Sequence, residues 1–172
     1  MNGTTRISLA SLTPRPCNLP SAEITALGEK VRRRLAIQSL EGLEGGISGI
    51  GGEVRRTHSF LHSLVVLGDE RFVIFVHEAE GTFRSRELVA TGLGHYFLHY
   101  PLLDSEVMLV PNGFSEPAYA EARAFANAFL MPEALMREEF ARLRGIGVDI
   151  ARDLGLDTSI VFPRLRELDL MG

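Results

Sequence analysis

The stretch Arg86-Glu-Leu-Val-Ala-Thr-Gly-Leu-Gly-His-Tyr-Phe-Leu-His-Tyr-Pro101 constrains the fold more than any other part of the chain. Leu88, Val89, Ala90, Leu93, Phe97 and Leu98 have the spacing of a buried helix, and Pro101 ends it. Thr91, His95 and His99 recur every four residues and therefore share one face. Two histidines at i and i+4 on an apolar helix can hold a divalent metal from one side. His58 and His62 repeat the spacing in Thr-His-Ser-Phe-Leu-His-Ser, but at a strand entrance whose distance from the helix is not fixed by sequence.

A second helix is expected from Ser115 as N-cap, with Pro117 in its first turn, where a missing N–H costs little. Its run Glu121-Ala-Arg-Ala-Phe-Ala-Asn-Ala-Phe-Leu-Met-Pro132 is alanine-rich, which lets two helices approach closely. Upstream, Ile24, Leu27, Val31 and Leu35 predict a helix opened by Ser21, with Lys30, Arg32, Arg33 and Arg34 mostly outward. Ser63–Leu67 and Arg71–Val76 flank Gly68-Asp69-Glu70 and predict a hairpin, with both sheet faces at least partly covered. The glycine-rich 42–52 segment lacks the lysine and following helix of a phosphate loop, so a flexible connection is expected. Pro111-Asn-Gly113 predicts a turn within an irregular stretch after Pro101.

Residues 133–144 predict a further helix, and 144–170 a closing helix–turn–helix order. As a DNA reader that segment is poor: Asp149, Asp153, Asp157 and Asp169 repel phosphate, and Pro163 interrupts the would-be recognition helix. A net charge of −4 gives no support to general nucleic-acid or anionic-membrane binding. The single Cys17 rules out an internal disulfide framework and fits a reducing cytoplasm. No apolar run reaches about 18 residues, and the first residues lack the basic-then-apolar order of a signal peptide. The expected organisation is an extended arm over 1–20 and one domain over 21–172 in the cytoplasm.

Residues 86–101 resemble the active-site helix of the ImmA/IrrE family of zinc metallopeptidase-like proteins, roughly R-F-x-x-A-H-E-L-G-H-x-x-L-H. Arg86, Ala90, Leu93, Gly94, His95, Leu98 and His99 fall in register with that pattern. Thr91 stands at its first metal-binding histidine and Gly92 at its catalytic glutamate. A second family pattern, roughly E-x-x-A-N-x-F-A-x-x-L-L-M-P, is matched at Ala122, Phe125, Ala126, Leu130, Met131 and Pro132. There Arg123 replaces the asparagine, and Tyr119 falls where the family has its third metal ligand. Glu121 corresponds to a glutamate often seen in the family rather than to the ligand.

The resemblance implies an α+β, zincin-like metallopeptidase fold, with a mainly helical core, a small β-sheet and a C-terminal helix-turn-helix-like segment. It also implies a cleft whose catalytic positions are Thr91, Gly92, His95 and Tyr119, lined by Tyr96, Tyr119 and Glu116. One ligand of three survives, and the general base is gone. The function implied is a catalytically degenerate, regulatory protein-binding module, with a DNA-binding regulator or antitoxin-like partner. No cofactor is expected unless zinc uses the His95/His99 pair. That relocation is the alternative, an active metal-dependent endopeptidase cleaving a repressor.

Overall fold

The structure, a computed structural model, describes residues 11–171; the first ten residues of the expected arm and Gly172 lie outside them. Among the described residues, seven α-helices and a four-stranded sheet make an α+β fold. In order these are α1 (Ser21–Arg34), α2 (Leu43–Ser48), β1 (Gly52–Thr57), β2 (His62–Val66), β3 (Phe72–His77), α3 (Thr82–Leu98), β4 (Met108–Pro111), α4 (Pro117–Leu130), α5 (Glu133–Arg142), α6 (Gly147–Leu154) and α7 (Thr158–Glu167).

The sheet runs β1-β3-β2-β4. The expected hairpin is its antiparallel centre, with Leu64 opposite Ile74 and Val66 opposite Phe72. β4 adds antiparallel to β2, and β1 adds parallel to β3. Along β3, Phe72, Ile74 and Val76 are buried and alternate with half-buried Val73, Phe75 and His77. One face is thus packed and the other partly shielded, as a period-two strand requires.

α3 and α4 cross at the heart of the core. A Cβ at Gly94 would lie 2.5 Å from the Ala122 carbonyl oxygen, so only glycine allows this approach. Ala118, Ala122 and Ala126 are buried on the facing helix. Two buried arginines close the C-terminal end of α4. Arg32 donates to the carbonyls of Phe129 and Leu130, and Arg164 to that of Met131. Cations at these orphan carbonyls also complement the negative end of the helix dipole. Arg32 therefore points inward, contrary to the outward basic face expected for α1.

Other expectations change as well. The glycine-rich segment is a 3-10 turn over Leu40–Gly42 followed by α2. Leu40, Leu43 and Ile47 bury one side of it, and their 3- and 4-residue spacing outweighs the glycine content. Pro20 and Glu116, not Ser21 and Ser115, occupy the N-cap positions of α1 and α4. Pro163 sits inside α7, which continues to Glu167 because Ile160, Val161 and Leu165 anchor it in the core. The residues after α6 turn through Gly155 in the left-handed region (φ +62°), whose carbonyl accepts from Arg86 at 2.7 Å. Arg86 thereby ties α3 to the C-terminal helices.

Over residues 11–20 the arm is tied to the sheet and to α4. The Leu109 N–H of edge strand β4 donates to the Leu12 carbonyl at 2.8 Å. The Cys17 and Asn18 N–H groups donate to the two carboxylate oxygens of Glu121, at 2.8 and 2.9 Å.

Candidate functional site

The shared face of α3 brings Thr91, Gly92 and His95 to a cavity of about 370 Å3 between α3, the sheet and the loop from β4 to α4. Tyr119, near the start of α4, reaches the same cavity. The four positions aligned with the family's metal and base residues therefore meet in space although they lie on two helices. Tyr96 and Glu116 are placed differently. Tyr96 stacks on Phe72 with centroids 4.1 Å apart, and its hydroxyl accepts from the Glu70 N–H. Glu116 is exposed at the N-cap of α4. Neither is among the cavity-lining residues.

Each lining position has a local explanation. Thr91 donates its hydroxyl to the Glu87 carbonyl one turn back, a bond that a helical threonine makes readily. A Cβ at Gly92 would lie 3.0 Å from the side chain of Ile74 on β3, so the sheet closes directly over this glycine. The Tyr119 ring faces His95 with centroids 6.3 Å apart, and Phe114 presents an edge to His95 at 5.7 Å. Arg84 holds its proton more tightly than usual, chiefly through its hydrogen bond to Glu87, with a further contribution from nearby Tyr119.

His95 and His99 are both buried, and their Nδ1 atoms meet at 3.0 Å. His99 Nε2 lies 2.9 Å from Glu121 Oε2. Burial alone would raise the Glu121 pKa, but hydrogen bonds from the Cys17 N–H, His99 and the Asn18 N–H outweigh it and hold the carboxyl below its ordinary value. An ionised carboxylate only accepts, so His99 Nε2 carries the proton. Burial keeps His99 neutral despite Glu121, which leaves its Nδ1 as an acceptor. His95 must then donate through Nδ1–H. Burial first, and the neighbouring His99 second, lower the His95 pKa to about 3.

One consequence is decisive for chemistry. The His95 Nε2 is an unprotonated lone pair, and no group among the described residues hydrogen-bonds to it. An unpaired buried acceptor costs roughly 1–3 kcal/mol. The ring carrying it lines the cavity.

Cys17, His99 and Glu121 were not grouped by the sequence. Their ligand-type atoms lie within 4.8 Å of one another, the one such group of three among the described residues. The Glu121 partners are mostly backbone N–H groups, which leave no trace in a side-chain pattern. His58 and His62 belong to no such group: His58 pairs with Glu78 on the surface, and His62 opens β2 at an irregularity in its pairing with β4. His77, at the end of β3, accepts from the Ala79 N–H in a turn and also lines the cavity.

This architecture is that of a metallopeptidase-like domain built around one histidine-bearing helix. The IrrE N-terminal-like domain model of the M78 peptidases matches residues 51–166, and the chain belongs to this family. A solved Mycobacterium tuberculosis transcriptional regulator is similar in structure, with a TM-score of 0.54 and 16% identity, over 84% of this chain. The chain spans 46% of that regulator's length, and the likeness shows a shared fold. No curated protein matches the chain significantly. Among the described residues, no helix is long and apolar enough to cross a membrane.

Proposed function

We propose that this chain is a catalytically degenerate, zincin-like member of its family, a regulatory module that binds a protein partner rather than cutting it. The observation that carries this reading is the donor set around the cavity. A family-type zinc site needs two histidines and a carboxylate, with a glutamate beside them to take a proton from the bound water. Thr91 has committed its hydroxyl to its own helix, and Gly92 has no side chain. Tyr119 replaces a carboxylate with a ring, so His95 Nε2 is the single family ligand left. Zinc in the family position does not fit these residues.

The partner class comes from the family setting: a DNA-binding repressor or an antitoxin-like protein, in the cytoplasm. The solved regulator of similar fold agrees with a regulatory context. Asp149, Asp153 and Asp157 in the C-terminal segment argue against DNA as the direct partner, because carboxylates repel phosphate.

A second reading is favoured by the Cys17, His99 and Glu121 group, whose thiol, imidazole and carboxylate are all zinc-type donors. It would be an active metalloenzyme with its metal moved one turn along α3. It must displace hydrogen bonds that already occupy both Glu121 oxygens. Elemental analysis of protein purified without chelator or added metal, repeated on His95→Ala and Cys17→Ser, decides. Sub-stoichiometric metal in all three is expected. Near one transition metal per chain, lost in either variant, would overturn the degenerate reading.

A further inference from the structure

From the cavity and the orphaned His95 nitrogen we infer that the former catalytic cleft is a binding pocket for a planar aromatic group carrying one hydroxyl or N–H donor, such as a phenol or an indole. The inference rests on the reading that His95 carries no catalytic metal.

Shape argues first. A cavity of about 370 Å3 lies within the usual range for small-ligand sites. Its walls include Phe60, Phe75, Phe114, Tyr119, Leu88 and Val110. Phe60 and Phe75 lie nearly parallel with centroids 6.3 Å apart, and Phe114 stands edge-on to His95. Rings arranged this way favour a further ring in offset or edge contact.

Polarity argues second. His95 is 2% exposed, and its Nε2 has no partner among the described residues. The hydrogen-bond chain from Glu121 through His99 fixes the His95 tautomer, so Nε2 presents a lone pair and only accepts. A ligand that donates there satisfies the acceptor. One of the same shape without a donor leaves the cost in place, and this asymmetry is what lets buried polar groups discriminate. An anionic group finds no donor at His95, so the end of the ligand that meets Nε2 is neutral; Arg84, Glu80, His77 and Ser63 line other parts of the wall. The donor can belong to a free small molecule or to a tyrosine or tryptophan side chain of a polypeptide.

The test uses the full chain, shown to be metal-free, titrated with p-cresol, toluene and N-acetyl-tyrosinamide and followed by the ring nitrogen resonances of His95. p-Cresol and toluene differ by one hydroxyl. Saturable p-cresol binding, roughly fivefold to tenfold tighter than toluene, with movement of the Nε2 resonance, is expected. His95→Asn keeps an N–H for His99 but replaces Nε2 by an amide oxygen on a shorter side chain, and should shrink the preference for p-cresol over toluene. Asn112→Trp, at an exposed position on the cavity rim, should weaken every probe even if His95→Asn fails to fold. Binding by N-acetyl-tyrosinamide without p-cresol would support the inference and assign the ligand to a polypeptide. No saturation by any of the probes at millimolar concentration, p-cresol and toluene both binding with equal affinity to the unaltered chain, or indifference to Asn112→Trp would overturn it. Zinc found on His95 would instead defeat the degenerate reading beneath it.

Discussion

His95 and His99 sit one turn apart on the same helix and share a hydrogen bond, yet their surroundings are opposites. On the His99 side every polar atom is answered: Glu121 takes the imidazole proton with one oxygen and the N–H groups of Cys17 and Asn18 with both. On the His95 side the chain of donors stops at a buried Nε2 without a partner among the described residues, in a ring that lines the cavity. The first arrangement stabilises the fold by joining α3, α4 and the arm. The second costs stability, and a protein keeps such a feature where something is to be bound. The contrast teaches that one helical motif can hold a half that is fully hydrogen-bonded and a half that is left open.

The largest test of that contrast is acid. Both histidines are held neutral when folded and protonate freely when unfolded, so below pH 6.5 the unfolded chain binds more protons. The stability tied to neutral His95 is whole above about 6.5 and is lost as the pH falls towards about 3. The depressed Glu121 carboxyl acts in the same direction below its ordinary value of 4.5. A loss on the order of 5 kcal/mol is expected for His95 across that window, from about 1.4 kcal/mol per unit of pKa difference. Urea unfolding from pH 7 down to about pH 3 measures it; a flat profile would mean that His95 is not buried as a neutral ring.

Glu121→Ala strikes the satisfied half. It strands the His99 N–H and two backbone N–H groups, and should cost about 3 kcal/mol. It should also loosen the arm, seen as faster amide exchange at Cys17 and Asn18. A change below about 1 kcal/mol would show that water replaces the carboxylate without penalty.

His95→Asn strikes the other half and should be the mildest. Asparagine keeps a donor for His99 and exchanges Nε2 for an amide oxygen, so the cost of about 1 kcal/mol is mainly that of the lost ring packing. The acid profile of this variant should also be flatter than that of the parent. If His95→Asn proves more costly than Glu121→Ala, the division into a hydrogen-bonded half and an open half is wrong.

Much of the fold was legible because periodicity reports burial. The apolar spacing of 86–98 and the alanine run of 117–130 announce the two central helices, and the runs around Gly68-Asp69-Glu70 announce the hairpin. β1 and β4 were not legible. Glu53-Val-Arg-Arg has one apolar residue in a solvent-facing edge strand, and Met108–Pro111 is a four-residue strand ending in proline. Both are strands because a neighbour supplies hydrogen bonds, which is a tertiary fact. The inward turn of Arg32 was hidden for the same reason: its acceptors are carbonyls 97 and 98 residues away.

At the site, the sequence by itself determined which atoms are available. Thr91, Gly92, His95 and Tyr119 are read directly from their places in two motifs, and with them the family and the missing ligands. Only the tertiary structure decided what those atoms do. The protonation of His95 depends on Glu121, which lies on another helix, and through it on backbone N–H groups of the arm. The room at Gly92 depends on Ile74 in the sheet. Side-chain identity is local, whereas tautomer, burial and cavity shape are set by neighbours distant in sequence.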